Sequence, residues 1–365
     1  MVATIRKLLV KRGAITQTRA VDRSIPDLAD GEVLVRVGDF ALTANNISYA
    51  LTGESLSYWQ FFPEDDDWGV VPVWGHAHVI ESRCDALPVG ARLWGYLPMA
   101  SHLVMLPGRV SERGFVDMAA HRAGLPLVYN QYSRTENDPP ALAAMPHERS
   151  LLFPLFTTSY LIADYLADND QFGAAQVIIG SASSKTGFAT AHYLKTITPS
   201  PSIVTGLTSP GNISFTQGLT LFDRVISYGD IASLDPAVPT GYVDMSGDGA
   251  VLRAVHEHFG DNLKVSIGVG ATHWDAPRVR DPLPGAQPAF FFAPSQIAKR
   301  DAEWGAGVLM ARANAANVAF VQSLGGVLTI SQHHGSAAVE ACYQDMVHNR
   351  TPPTQGLILN FGDAA

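Results

Sequence analysis

Residues 177–191 read VIIGSASSKTGFATA: an apolar run closed by glycine, a turn of small and hydroxyl residues, then a segment with helical spacing. A continuous apolar run is the mark of a strand covered on both faces, and such strands belong to parallel sheets. The pattern repeats outward from it. Residues 151–168 and 187–196 have helical spacing, 175–180 and 202–207 (SIVTGL) read as strands, and further strands are expected at 224–228, 241–244, 265–269 and 289–293. Strands alternating with helices predict a doubly wound parallel sheet over residues 150–324, closed by an alanine-rich helix at 306–324.

The first 149 residues differ. EVLVRV at 32–37 alternates cleanly, and 70–80 and 91–97 are short runs punctuated by glycine. Glycine and proline interrupt the pattern repeatedly, as a barrel-like β domain requires. Residues 119–149 carry proline, polar residues and two tyrosines without a period, and are read as a long loop or lid. The late strands 327–331 and 356–361 have no place in the sheet's rhythm. They are expected to return to the first domain, giving domains of 1–149 with 325–365, and 150–324.

Composition narrows the function. The chain has 365 residues, 47% of them hydrophobic and only 16% charged, so it is neither disordered nor a charged coiled coil. With 25 Lys and Arg against 34 Asp and Glu, the net charge is -9. No basic run offers a face to phosphates, which argues against nucleic acid. Two cysteines, Cys84 and Cys342, exclude a disulfide scaffold and a four-cysteine zinc site. The N-terminus alternates basic and apolar residues and reads as a strand, not a signal peptide. The apolar stretch 150–163 is too short to span a bilayer. A cytoplasmic protein with no membrane partner is expected.

The 177–191 turn carries the clearest chemistry. Small residues let a backbone approach a pyrophosphate, and the following helix N-terminus presents N–H groups to anionic oxygen. Ser181, Ser183, Ser184, Lys185, Thr186 and Gly187 are the candidate cofactor-binding residues there, Lys185 adding a charge for phosphate. At the end of the next strand, 207–212 (LTSPGN) has no acid to take the ribose hydroxyls of NAD. This tilts the cofactor toward NADP, with Thr208, Ser209 and Asn212 as contacts, although no Arg or Lys stands there. The alternative is an ordinary βα turn whose small residues serve only packing.

The order of elements resembles the medium-chain dehydrogenase/reductase superfamily, in particular its zinc-free quinone and enoyl reductases. GEVLVRV at 31–37 followed by ALTANNISYALTG at 41–53 is similar to that family's opening motif. Residues 72–90, GARLWG at 90–95, SHLVMLP at 101–107 and Thr158-Ser159-Tyr160 resemble its later ones. The match looks closest to a branch known only as a domain of unknown function, with ALTANN, SASSKT and FFFAP as its phrases. The resemblance implies a GroES-like barrel plus a Rossmann-type domain. Ser181, Ser184 and Gly187 stand where these reductases carry three glycines. Gly75-His76 survives from the zinc members, but Ala77 replaces their glutamate and no early cysteine exists, so no metal is expected.

In the resembling family the opening motif and the 158–160 helix start border the nicotinamide cleft, which implicates Asn46, Tyr49, Tyr58, Thr158 and Tyr160. Reduction of an enoyl or quinone group needs a hydride and a donor for the developing oxyanion. Tyr58 and Tyr49 are the preferred donors, with packing as their alternative role, and Asn46 could instead cap a turn. His273 follows strand 265–269 and could face a ligand; His76, His102 and His333-His334 read as structural or surface groups. Asp244 reads as an N-cap for the next helix, and Phe290–Phe292 as sheet core. The expected activity is NADPH-dependent reduction of an activated C=C bond or quinone of a small molecule, by a homodimer. The alternative is a cofactor-independent acid–base enzyme, a C–C lyase or isomerase, using Tyr58, His273 and Lys185.

Overall fold

A computed structural model describes residues 4–65, 67–197, 203–270, 275, 279 and 281–362. The chain divides into two compact units, Met1–Leu151 with Leu328–Ala365, and Leu152–Val327.

The first unit is β-rich. Strand Val33–Leu42 is its pivot, because its buried valines and leucines find partners on both edges. It pairs antiparallel with Pro72–Ser82 on one side, and with His102–Met105 and Gln355–Asn360 on the other. Beyond Pro72–Ser82 lie Arg92–Pro98, Gln131–Arg134 and Gly114–Asp117, each antiparallel to the last. The late strand Gln355–Asn360 also carries Thr329–His334 parallel to it at the sheet's edge. A smaller sheet joins Thr4–Lys11 to Thr18–Ser24 and Trp68–Val70.

Residues 119–149 are therefore not the irregular loop read from their composition. They contain the strand Gln131–Arg134, too short to show a period, and are tied to the preceding strand Gly114–Asp117 by a buried ion pair, Arg122 Nε to Asp117 at 3.1 Å. Asp117 also accepts from the N–H groups of Leu106 and Ala119. The helix Pro146–Asp168 begins inside the same stretch. It runs 23 residues, longer than the apolar 150–163 stretch suggests, and by length and composition could cross a membrane; 72% of its apolar window is packed inside the fold, as in a core helix.

The second unit holds, among the described residues, a six-stranded parallel sheet. Its central strand, Gln176–Gly180, is buried throughout. Ile203–Thr208 and Arg224–Ser227 lie to one side, and Thr240–Asp244, Leu263–Gly268 and Ala289–Phe290 to the other. The order reverses between Gln176–Gly180 and Thr240–Asp244, and the carboxyl ends beside such a switch point are where open α/β sheets bind ligands. The last strand is only two residues long and Phe290 is 57% exposed, so Phe290 does not fill the sheet core. An edge strand with one neighbour cannot cover it. The helices Ala293–Trp304 and Ser336–Val347 were not legible beforehand, while Val308–Ser323 falls where alanine-rich spacing places a helix.

Candidate functional site

The sheet unit's switch point is built on the turn after Gly180. Ser181 takes φ +51°, a left-handed conformation that ordinarily favours glycine. The turn closes as Ser184 N–H donates to the Ser181 carbonyl at 2.9 Å, and Ala182 N–H ties it to Leu207 at 3.1 Å. Ser184 then caps the helix Lys185–Thr196, its Oγ accepting from Gly187 N–H at 3.1 Å. Gly187 is required by packing: a Cβ there would stand 2.6 Å from the Ser181 carbonyl oxygen. Gly206 does the same for the neighbouring strand, since its Cβ would meet Phe222 at 2.9 Å and Ala182 at 3.0 Å.

The side chains around this turn are mostly hydroxyls. Ser183 Oγ accepts from Thr208 Oγ1 and from Asn212 Nδ2, both at 3.2 Å, which joins the first turn to the end of the second strand. Ser209 sits half-buried just beyond, ahead of the short helical turn Pro210–Asn212. Thr186 is half-buried, and its carbonyl accepts from Thr190 Oγ1 and Ser159 Oγ, each at 2.8 Å. Ser159, which residue types alone did not single out, thus ties the Pro146–Asp168 helix to the turn. Thr158 donates its hydroxyl back to Pro154 in its own helix at 3.0 Å. Lys185 is half-buried, and desolvation draws its amine down to about 8.

Asp244, at the end of the adjacent strand, is not the expected cap. Asp248 caps the helix Gly249–Phe259 by accepting from Ala250 and Val251 N–H. Asp244 is buried instead, and accepts from the Ser246 N–H at 2.8 Å, the Ser246 hydroxyl at 2.6 Å and Gly247 N–H at 3.2 Å. Burial pushes its carboxyl above the usual range despite these donors. These residues fit a dinucleotide. The left-handed turn and the two tight glycines keep strand, turn and helix close enough for a pyrophosphate to meet the helix N-terminus. The Ser183–Thr208–Asn212 group would meet a ribose or its phosphate without a competing carboxylate.

The barrel unit gathers the other candidates. Tyr49 lies on the helix Ala44–Leu51, and Tyr58 opens the short helical turn Tyr58–Phe61. Their rings are 4.5 Å apart, Trp74 Nε1 donates to the Tyr49 hydroxyl at 3.3 Å, and the Tyr58 and Tyr129 hydroxyls are 3.2 Å apart. Burial raises the pKa of both Tyr49 and Tyr58, so each is a neutral donor. Asn46 is committed to the backbone: its Oδ1 accepts from Thr43 N–H at 2.7 Å, and its Nδ2 donates to the Pro72 carbonyl at 2.8 Å. That is a turn cap, the alternative role. Trp74, Tyr96 and Tyr129 complete the group and were missed. The register that pairs Trp74 with Tyr96 could have found two of them once the strands were aligned. Tyr129 lay in the stretch read as a loop.

Other candidates fall elsewhere. His76 binds the Pro146 carbonyl at 3.1 Å, and burial lowers its pKa to about 4, leaving it neutral. Tyr160 belongs to the sheet unit, edge-on to Tyr193 at 5.4 Å. His273 lies outside the described residues. Among the described residues, no three His, Cys, Asp or Glu side chains are placed to hold a metal ion.

Solved structures with the same fold carry the comparison. CurA from Vibrio vulnificus has a TM-score of 0.63 at 13% identity, over 99% of this chain and 100% of that one. The same protein in complex with NADPH gives 0.62 at 13% identity, over 98% and 100%. A complex of Etr1p with NADP and crotonyl-CoA gives 0.59 at 12%, also over 98% and 100%. What is shared at this identity is the fold, a β-rich domain and a domain with a parallel sheet. No curated protein matches the chain. The model of one sequence family, described as "Protein of unknown function (DUF2855)", covers residues 40–352, and the chain belongs to that family.

Proposed function

We propose that the protein is an oxidoreductase that uses NADPH, without a metal, to reduce an activated C=C bond or a quinone in a small molecule. The observation that carries this is the turn at Ser181: a non-glycine residue held left-handed so that strand, turn and helix stay close, with hydroxyl and amide groups where an NAD site would have an acid. Solved structures of the same fold that contain NADPH or NADP support it. Ser184, Lys185 and Thr186 are the proposed pyrophosphate contacts, and Ser183, Thr208, Ser209 and Asn212 those of the adenosine end. When bound, NADPH supplies the hydride to one carbon of the substrate and leaves as NADP+, a proton completing the reduction. Tyr58, backed by Tyr129, is the proposed hydrogen-bond donor to the substrate oxygen, and burial, which raises its pKa, keeps it a neutral phenol. The metal-free part of the proposal rests on Ala77 beside His76, at the place where the zinc members of the resembling superfamily carry a glutamate.

Calorimetric or fluorescence titration with NADPH and NADH is the test. A response to NADPH at micromolar concentration, weaker for NADH, is expected, and silence toward both at saturating concentration would sink the reading. Tyr58→Phe should lower turnover at least tenfold while leaving NADPH affinity unchanged. A second reading is favoured by Lys185, whose amine near 8 is suited to proton transfer at neutral pH. Turnover of a substrate in cofactor-free protein, lost in Lys185→Met, would establish it in place of the first.

A further inference from the structure

Ser181 does not suit its place in the turn. Its φ of +51° lies in the left-handed region, where a Cβ is crowded and glycine is the usual occupant. The conformation at a residue is fixed when the two peptide units that flank it are each held. Three of the four polar groups on those units are held by backbone. The Gly180 carbonyl accepts from Met245 N–H at 3.3 Å, the Ser181 carbonyl from Ser184 N–H at 2.9 Å, and Ala182 N–H donates to the Leu207 carbonyl at 3.1 Å. The fourth group is the Ser181 N–H, and a side chain takes it.

That side chain is Tyr228, which opens the short helical turn Tyr228–Ser233 after the strand Arg224–Ser227. Burial and the neighbouring Asp244 carboxyl raise the pKa of its phenol, while bonds from the backbone and the hydroxyl of Ser181 lower it. A bond that lowers a phenol's pKa favours the phenolate, so in both of them Ser181 donates and the phenolic oxygen accepts. Strand Arg224–Ser227 is separated from Gln176–Gly180 by Ile203–Thr208. Tyr228 therefore reaches back across one strand, its ring packed on the core that includes Ile178 and Leu207. On the other edge of Gln176–Gly180, the end of Thr240–Asp244 closes the space. A Cβ at Gly180 would stand 2.6 Å from the Tyr242 hydroxyl and 3.1 Å from Asp244 Oδ1, which leaves the strand end little room to shift.

The turn aims the helix Lys185–Thr196. Ser181 closes onto Ser184 N–H and Ser184 Oγ caps Gly187 N–H, so the helix start follows the conformation at Ser181. We propose that Tyr228 is a positioning residue of the dinucleotide site: it supplies the hold that a glycine would make unnecessary, keeping Ser181 left-handed and the helix start directed at the pyrophosphate. This rests on the NADPH reading for the ligand; the hold on the turn belongs to the unliganded chain.

The test is a cycle of Tyr228→Phe, Ser181→Gly and the double variant in the full chain, with NADPH titrated by calorimetry and unfolding followed in urea. Tyr193→Phe is the control, because it too removes a buried phenolic oxygen, one that donates to Asn317 at 2.6 Å further along the same helix. Without the Tyr228 oxygen only a fraction of molecules holds the turn, and apparent affinity falls by that fraction. Tyr228→Phe should therefore weaken NADPH about tenfold or more. Ser181→Gly alone should stay within about threefold of the parent, and adding it to Tyr228→Phe should recover most of the loss, because glycine takes a positive φ unaided. The fall in urea midpoint caused by Tyr228→Phe should shrink by about half in the Ser181→Gly background. Tyr193→Phe should lower the midpoint, leave NADPH affinity level and gain nothing from Ser181→Gly. NADPH affinity unchanged in Tyr228→Phe, or a loss that Ser181→Gly does not recover, overturns the proposal. If the parent never responds to NADPH, the reductase reading falls and the urea cycle decides the hold: coupling of the two substitutions upholds it, and additivity overturns it.

Discussion

Replacing Gly187 by alanine tests whether the Ser181 turn is held by close packing. A methyl group at Gly187 would stand 2.6 Å from the Ser181 carbonyl oxygen, 3.0 Å from Ser184 Oγ and 3.1 Å from Ala182 Cα. Two of those atoms are backbone and cannot rotate aside, so the turn itself must move. Overpacking of this kind costs about 1–3 kcal/mol. Alanine returns up to about 1 kcal/mol of helix propensity, leaving a net loss of up to about 2 kcal/mol. Gly218→Ala is the matched control: Gly218 ends the helix Ile213–Gly218 and a Cβ there meets nothing within 4 Å. Only the small propensity gain applies to it. Urea denaturation followed by circular dichroism should therefore separate the two variants by about 1–3 kcal/mol, read from the midpoints at a common slope. The same shift displaces Ser184, so NADPH affinity should fall at least tenfold in Gly187→Ala and stay level in Gly218→Ala. Coincident midpoints with equal NADPH affinity would refute the packing argument.

Arg122→Met should destabilise the barrel unit by about 3–5 kcal/mol in urea denaturation, because Asp117 is left charged and buried. The double variant with Asp117→Asn should recover part of that loss. NADPH affinity should decline as pH rises through about 8, where Lys185 gives up its proton, and Lys185→Met should flatten the profile in titrations from pH 6.5 to 9.5. The unfolded chain keeps that proton to about 10.4, so between about pH 8 and 10 the folded state gains stability from this group as pH rises. Asn46→Ala leaves the Thr43 N–H and the Pro72 carbonyl without their side-chain partner and should cost about 2 kcal/mol or more, visible as a lowered Tm. Its activity per folded molecule should stay near that of the parent if Asn46 only caps the turn.

The parts that could be read in advance share one property: their signal is local. The buried strand Gln176–Gly180 is apolar from Val177 onward, the turn after it opens with small residues, and 207–212 lacks an acid, and none of this depends on distant partners. The stretch 119–149 hid its structure because its strand is four residues long and is stable only between two neighbours. The burial of Arg122 is set by tertiary contacts, with Asp117 3.1 Å from it and Phe62 beneath it at 4.9 Å. Phe290 misled in the other direction, because three phenylalanines in a row suggest a core that a two-residue edge strand cannot supply.

The sequence by itself therefore determined the doubly wound sheet, the turn at its switch point and the residue types offered there. Tertiary structure alone decided which hydroxyls meet. Tyr49, Tyr58, Tyr96 and Tyr129 come from a helix, a helical turn, a strand and the stretch read as a loop, and strand pairing and burial bring their rings together. It likewise turned Asp244 from a cap into a buried carboxyl, by placing Asp248 at the helix start instead. Periodicity reports which face a residue occupies, but contact between faces is set by register and closure, and those exist only once the chain has folded.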